Sequence, residues 1–178
     1  MTIKVYIIGM PGTGKTHFGR LLSQSLKMQF FDLDEMVEKK ELASIRNIVT
    51  EKGEPYFREI EHEMLKKTLS YNNCVISCGG GTPFHYGNME LMKSSGMVIW
   101  LNTDLRIIKK RIAQNSTRRP LFLGLDEAEI MEKLSVLFEN RRKTYAKADI
   151  SIDHNQQYSV PLSAVIQRIM KHFKNKRR

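Results

Sequence analysis

The sequence predicts an α/β fold, a parallel sheet with helices on both faces. Three observations predict it. Short apolar runs rich in β-branched residues alternate with longer amphipathic stretches along the whole chain. The first run feeds Gly9–Thr16, which reads Gly-Met-Pro-Gly-Thr-Gly-Lys-Thr and opens a helical pattern. Later runs end in acids or in consecutive glycines, and ligands of such sheets bind beyond the carboxyl ends of the strands.

The elements run in order from the N-terminus. Residues 3–8, Ile-Lys-Val-Tyr-Ile-Ile, have strand length and β-branched content. A helix over 15–27 is marked by Phe18, Leu21, Leu22, Ser25 and Leu26 at three- and four-residue spacing. Residues 29–34 form a short strand ending in Asp32 and Asp34, and 36–40 a short helix. Ser44 caps a helix that runs to Lys52 and stops at Gly53. A longer helix over 54–69 buries Phe57, Ile60, Met64 and Leu65. A third strand, 74–77, runs into Gly79, Gly80 and Gly81. A helix over 88–94 leads to a fourth strand over 97–101, and a further helix covers 104–114. Residues 115–124 form an irregular basic loop bracketed by Pro120 and Gly124. A long helix over 126–145, a last strand over 150–152 and a closing helix over 160–173 complete the chain. The sequence contains no linker, repeat or low-complexity stretch, so residues 1–178 are expected to form one domain.

Composition narrows the class. Hydrophobic content of 41% and charged content of 27% are those of a soluble globular protein. No apolar run reaches the roughly 20 residues that span a bilayer, and the glycine loop begins too early for a cleavable leader. A cytoplasmic protein without a membrane partner is therefore expected. In an extended run Cys74 and Cys78 lie about 13 Å apart, beyond disulfide reach, and two thiols make a poor zinc site. The net charge of +10 raises a nucleic-acid role, but no aromatic residues interleave with the basic clusters. The clusters serve a polyanionic small molecule equally well, and nucleic acid is not expected as a partner.

Gly9–Thr16 is a P-loop. Gly12, Thr13 and Gly14 let consecutive N–H groups curl around a polyphosphate at a helix N-terminus. Lys15 reaches the β- and γ-phosphates, and Thr16 takes Mg²⁺. ATP and Mg²⁺ are the implied cofactors. Asp32 and Asp34 face one side of an extended segment, one to hold the metal and the other to accept a bond from a substrate hydroxyl. Arg58 and Glu61 share a helix face, a spacing that by itself more often marks a surface ion pair. The triple glycine suits close backbone approach to a ligand, with N–H groups as donors. Arginines of the basic loop can close over phosphates, and one elsewhere can clamp a carboxylate.

These residues together resemble the shikimate kinase family, over residues 3–152. The carriers are the P-loop, Phe31-Asp32-Leu33-Asp34, Gly53-Glu54 with Phe57-Arg58 and Glu61, Ser77-Cys78-Gly79-Gly80-Gly81-Thr82, Arg118-Arg119-Pro120-Leu121, and Arg141 with Tyr145. The resemblance implies a three-layer α/β/α fold with a five-stranded parallel sheet in the order 2-3-1-4-5. It also implies transfer of the ATP γ-phosphoryl group to the 3-hydroxyl of shikimate. By position, Asp34 holds the reacting hydroxyl, and Arg58, Glu61, Gly79, Gly80, Gly81 and Arg141 hold the rest of shikimate within a substrate region over 33–62 and beyond. Arg119 is the arginine of a lid over 115–124, Thr16 with Asp32 serves Mg²⁺, and Arg111 packs near adenine. His17 and Cys78 depart from the Ser or Thr usual at their positions; His17 either contacts the α-phosphate through N–H or turns to solvent. Residues 153–157 are the candidate adenine loop. A gluconate or nucleoside-monophosphate kinase is the nearest rival, and a nucleotide-regulated RNA-binding module the non-enzyme one. A monomer is expected.

Overall fold

The structure is a computed structural model that describes residues 2–114, 122–154 and 160–175. Five strands, β1 (Lys4–Ile8), β2 (Gln29–Asp32), β3 (Cys74–Ser77), β4 (Met97–Asn102) and β5 (Ile150–Asp153), form one sheet in the order β2-β3-β1-β4-β5. Every pair is parallel, with Val5 opposite both Val75 and Met97. Parallel strands need crossovers, and the helices α1 (Lys15–Leu26), α2 (Leu33–Glu41), α3 (Ile45–Lys67), α4 (Asn88–Ser95), α5 (Leu105–Ala113) and α6 (Glu127–Tyr145) supply them, while α7 (Leu162–Asn175) follows the last strand and packs against α1. The expected sheet, strand order and layering are all present.

The period of two along the strands sorts side chains into two cores. Tyr6, Ile8, Cys74, Ile76 and Val98 pack on one face with Met92, Leu134 and Tyr145. Val5, Ile7, Val75, Ile99 and Leu101 pack on the other with Phe18, Leu22, Val165 and Ile169. A smaller cluster of Val37, Ile48, Phe57 and Ile60 holds α2 against α3.

Two local expectations need correction. On α1 the buried face is Phe18, Gly19, Leu22 and Ser23, while Leu21 is 42% exposed, because the sheet covers a narrower stripe than the apolar spacing offers. The second strand stops at Asp32, and Leu33 already begins α2. As expected, Gly53 breaks the helical run, with φ 85° and ψ 161°, and a second helical stretch resumes at once through Pro55, so α3 is two helices across a kink. Ser44 caps α3 as expected, its hydroxyl accepting from the Asn47 N–H at 3.2 Å. Among the described residues no helix is long and apolar enough to cross a membrane.

Because β2, β3 and β1 are neighbours, their carboxyl ends place Asp32, the triple glycine and the P-loop side by side. The site assembles on that edge.

Candidate active site

The P-loop leaves β1 and enters α1 through Gly14, whose φ of 93° only glycine adopts without strain. The loop thereby ends at the α1 N-terminus, where the helix dipole carries partial positive charge. Lys15 lies back across the loop, its Nζ donating to the carbonyls of Gly9 and Met10, both at 3.0 Å. Thr13 is buried and donates to the Met10 carbonyl at 3.0 Å, which fixes the loop's bend. Arg111 comes from α5, and its Nη1 donates to the carbonyls of Gly12 and Thr13 at 3.3 and 3.0 Å. The guanidinium therefore sits at the mouth of the P-loop. His154, directly after β5, brings its ring beside Gly14 and packs edge-on against Phe18 at 5.8 Å. Burial lowers the His154 pKa, and the nearby Arg111 and His17 add to the effect. His17 itself is exposed.

Asp32 and Asp34 are near each other for a different reason from the expected one. Asp32 is the N-cap of α2, its Oδ1 accepting from the Asp34 N–H at 3.0 Å and the Glu35 N–H at 3.5 Å. Asp34 lies in the first helical turn, so the two acids are related by a cap and not by strand alternation. The other Asp32 oxygen accepts from the Thr16 hydroxyl at 2.7 Å. A hydroxyl and one carboxylate at that distance suit Mg²⁺, which takes few protein oxygens and completes its shell with phosphates and water. The residues fit the metal.

The Asp34 carboxyl is pushed up to about 7, first by burial, then by the Asp32 and Glu61 carboxylates, with Lys15 opposing. Its pKa therefore lies near neutrality, where a group can both hold and accept a proton.

Arg58 and Glu61 form a buried pair, and the surface expectation for their spacing is overturned. Arg58 Nη1 donates to Glu61 Oε2 at 2.9 Å, and the Glu61 side chain has no exposure. Glu61 Oε1 accepts from Thr82 Oγ1 at 2.6 Å. Asn88, also fully buried, donates through Nδ2 to the Thr82 carbonyl at 2.9 Å and meets His62 Nδ1 at 2.6 Å. A chain of bonds thus runs from α4 to the guanidinium. Phe57 is a buried member of the α2–α3 cluster.

The triple glycine is required for space. A Cβ on Gly79 would lie 2.6 Å from Glu61 Oε1 and 2.9 Å from Asp34 Oδ1, and one on Gly81 would lie 2.5 Å from Arg58 Nη2. Gly80 abuts Pro11 of the P-loop, its Cβ position 2.9 Å from Cδ. The backbone approaches protein side chains first, and these are the groups that a ligand would meet. The Gly80 carbonyl is already taken, accepting from Tyr145 Oη at 2.6 Å and Arg141 Nη1 at 3.3 Å. This leaves the N–H side of the loop as its contribution to an anion. Tyr145 is held by the rings of Trp100 and Phe84, and burial pushes its phenol to about 12.

The structure brings Lys15, Thr16, Asp32, Asp34, Arg58, Glu61, Gly79–Gly81, Arg111 and Arg141 to one edge of the sheet. Arg119 and most of the basic loop lie outside the described residues, as does most of the candidate adenine loop after His154. Sequence reasoning assigned no role to Glu54, which contacts Arg58, to Thr82, which contacts Glu61, or to Asn88, which holds the Thr82 carbonyl. The Gly53-Glu54 dipeptide and the Thr82 that closes the glycine motif carried a signal for two of them, and nothing did for Asn88.

Comparison with known proteins adds a family. The family model for shikimate kinase matches residues 11–174. A shikimate kinase of Persephonella marina is 43% identical over 148 residues, covering 83% of this chain and 87% of the relative. The crystal structure of a shikimate kinase from Bacteroides thetaiotaomicron superposes with a TM-score of 0.88 at 28% identity, over 98% of this chain and 99% of the other. A shikimate kinase from Acinetobacter baumannii, solved in complex with shikimate, gives 0.85 at 29% identity, over 99% and 95%.

Proposed function

This chain belongs to the shikimate kinase family, and from that premise we propose how its own residues divide the work. It is an ATP-dependent kinase that uses Mg²⁺ and phosphorylates shikimate, in aromatic amino acid biosynthesis. In our reading Gly12, Thr13, Gly14 and Lys15 cradle the ATP phosphates, and Lys15 exchanges its two carbonyl partners for the β- and γ-phosphate oxygens. Thr16 and Asp32 would hold Mg²⁺, which would neutralise phosphate charge. His17 lies beside the α-phosphate, and Arg111 with His154 borders the adenosine end. Arg58, Arg141 and the Gly80 N–H hold shikimate, with Glu61 fixing Arg58 and with Gly79 and Gly81 keeping the approach open.

Asp34 receives the 3-hydroxyl. As the hydroxyl oxygen bonds to the γ-phosphorus, the bond from that phosphorus to the β–γ bridging oxygen breaks, and Asp34 takes the hydroxyl proton. Lys15 and Arg119 offset the charge that develops on the transferred group and on the leaving oxygen. Positioning supplies most of the rate because the transition state is loose.

The observation that carries this assignment is the contact of one glycine loop with all three parts. Gly79 abuts Asp34 and Glu61, Gly80 abuts Pro11 of the P-loop, and Gly81 abuts Arg58. That arrangement supports an acid and an arginine aimed at one acceptor beside the phosphates. A gluconate or nucleoside-monophosphate kinase would share the P-loop without a need for Arg58 and Arg141 on the glycine loop. We further propose a single-domain, cytoplasmic monomer that uses residues 115–124 as its lid and engages neither nucleic acid nor membrane. ADP release measured with shikimate, gluconate, AMP and CMP in parallel should respond to shikimate alone. Stimulation by another acceptor and none by shikimate would overturn the assignment.

A further inference from the structure

Arg58 meets two carboxylates here. Nη1 donates to Glu61, while Nε and Nη2 both donate to Glu54 Oε1, at 3.2 and 3.0 Å. The two acids differ in every other respect. Glu61 has no exposure, and its second oxygen is held by Thr82. The Glu54 side chain is 62% exposed and sits just past the helix break at Gly53. It also borders a cavity of about 350 Å³ with Pro55, Arg58, His85 and Tyr86, which gives it room to turn away.

Charge determines which acid yields. One guanidinium between two carboxylates is already a net anion, and like charges at contact distance disfavour adding a third carboxylate. Arg141 at the neighbouring glycine offsets part of this charge, but the Nε–Nη2 edge itself opens to an anionic acceptor only when the acid on it gives way. Withdrawal of Glu61 would strand a buried charge, whereas Glu54 moves only from an ion pair into water. We propose that Glu54 stands in for the acceptor's carboxylate: it occupies the Nε–Nη2 edge of Arg58 before the acceptor binds and surrenders that edge to shikimate. It preorganises the arginine and at the same time competes with the ligand, so it sets the affinity for acceptors that carry a carboxylate. An exposed pair of this kind is worth roughly 1.5- to 5-fold in an equilibrium constant.

The inference rests on the assignment of Arg58 to shikimate, and one set of titrations separates the two. Shikimate and its primary amide are titrated calorimetrically into wild type, Glu54→Gln, Glu51→Gln and Arg58→Ala, with ADP binding as the check on folding. Glu54→Gln should tighten shikimate about two- to fivefold and leave the amide unchanged. Glu51→Gln removes the same charge elsewhere on α3 and should not tighten either ligand. A purely structural role for Glu54 predicts the opposite sign, weaker binding on its removal. Equal or weaker shikimate binding in Glu54→Gln, or equal tightening in Glu51→Gln, overturns the stand-in role. Wild-type shikimate affinity in Arg58→Ala would instead overturn the assignment of Arg58 itself.

Discussion

At the scale of single residues, Asp34 carries the clearest prediction. Its folded pKa of about 7 lies above the ordinary carboxylate value of 3.8, so the folded protein holds a proton that the unfolded chain has lost. The associated stability is complete below pH 3.8 and is lost as pH rises through about 7. In metal-free, nucleotide-free protein, the melting temperature of Asp34→Asn should therefore rise relative to wild type as pH goes from about 5 to 8. A constant difference across that range would remove the shift. The same substitution should lower kcat by about 10²- to 10⁴-fold if Asp34 takes the hydroxyl proton, read from steady-state kinetics. Lys15→Met should lower kcat by at least about 10²-fold through lost transition-state electrostatics. Tyr145→Phe removes a donor from the Gly80 carbonyl, and denaturant unfolding should show a loss of about 1 kcal/mol.

At the scale of elements, the glycine loop after β3 couples the acceptor side to the helices. Gly81→Ala would drive a methyl group into Arg58 and should raise the KM for shikimate by at least about tenfold, while the KM for ATP changes little. An unchanged shikimate KM would mean that Arg58 does not need its present place. The elements themselves were legible where one period persists. The strands and long helices come from apolar spacing, and the P-loop from residue types in fixed order between a strand and a helix. Legibility failed where two periods meet. Asp32 ends β2 and also caps α2, so strand alternation was the wrong ground for setting Asp34 beside Asp32. The buried state of Glu61 was equally hidden, because it depends on Thr82 reaching across from another element.

At the scale of the whole molecule, α6 runs from its capping box to the glycine loop after β3. It begins at the capping box of Asp126 and Glu129, close after the basic loop, and ends at Tyr145 on the Gly80 carbonyl. Nineteen residues of helix reach about 28 Å, and a bar of that length would couple the two ligands if the proposed lid before it closes on ATP. Shikimate affinity measured by calorimetry with and without ADP should differ, and ADP affinity should shift by the same factor in the presence of shikimate. Independent binding of the two ligands would show that α6 transmits nothing. The family resemblance placed Arg141 near Gly80, but apolar spacing alone could not, and the Tyr145 bond to the Gly80 carbonyl had no signal in the sequence.

The crowding around the three glycines also bears on drug resistance. An inhibitor that draws its affinity from main-chain N–H groups of Gly79–Gly81 offers the enzyme few escape routes. A side chain at any of the three positions would strike Glu61, Pro11 or Arg58 before it touched the inhibitor. The mutation that evades the compound would then damage the enzyme that needs to survive it.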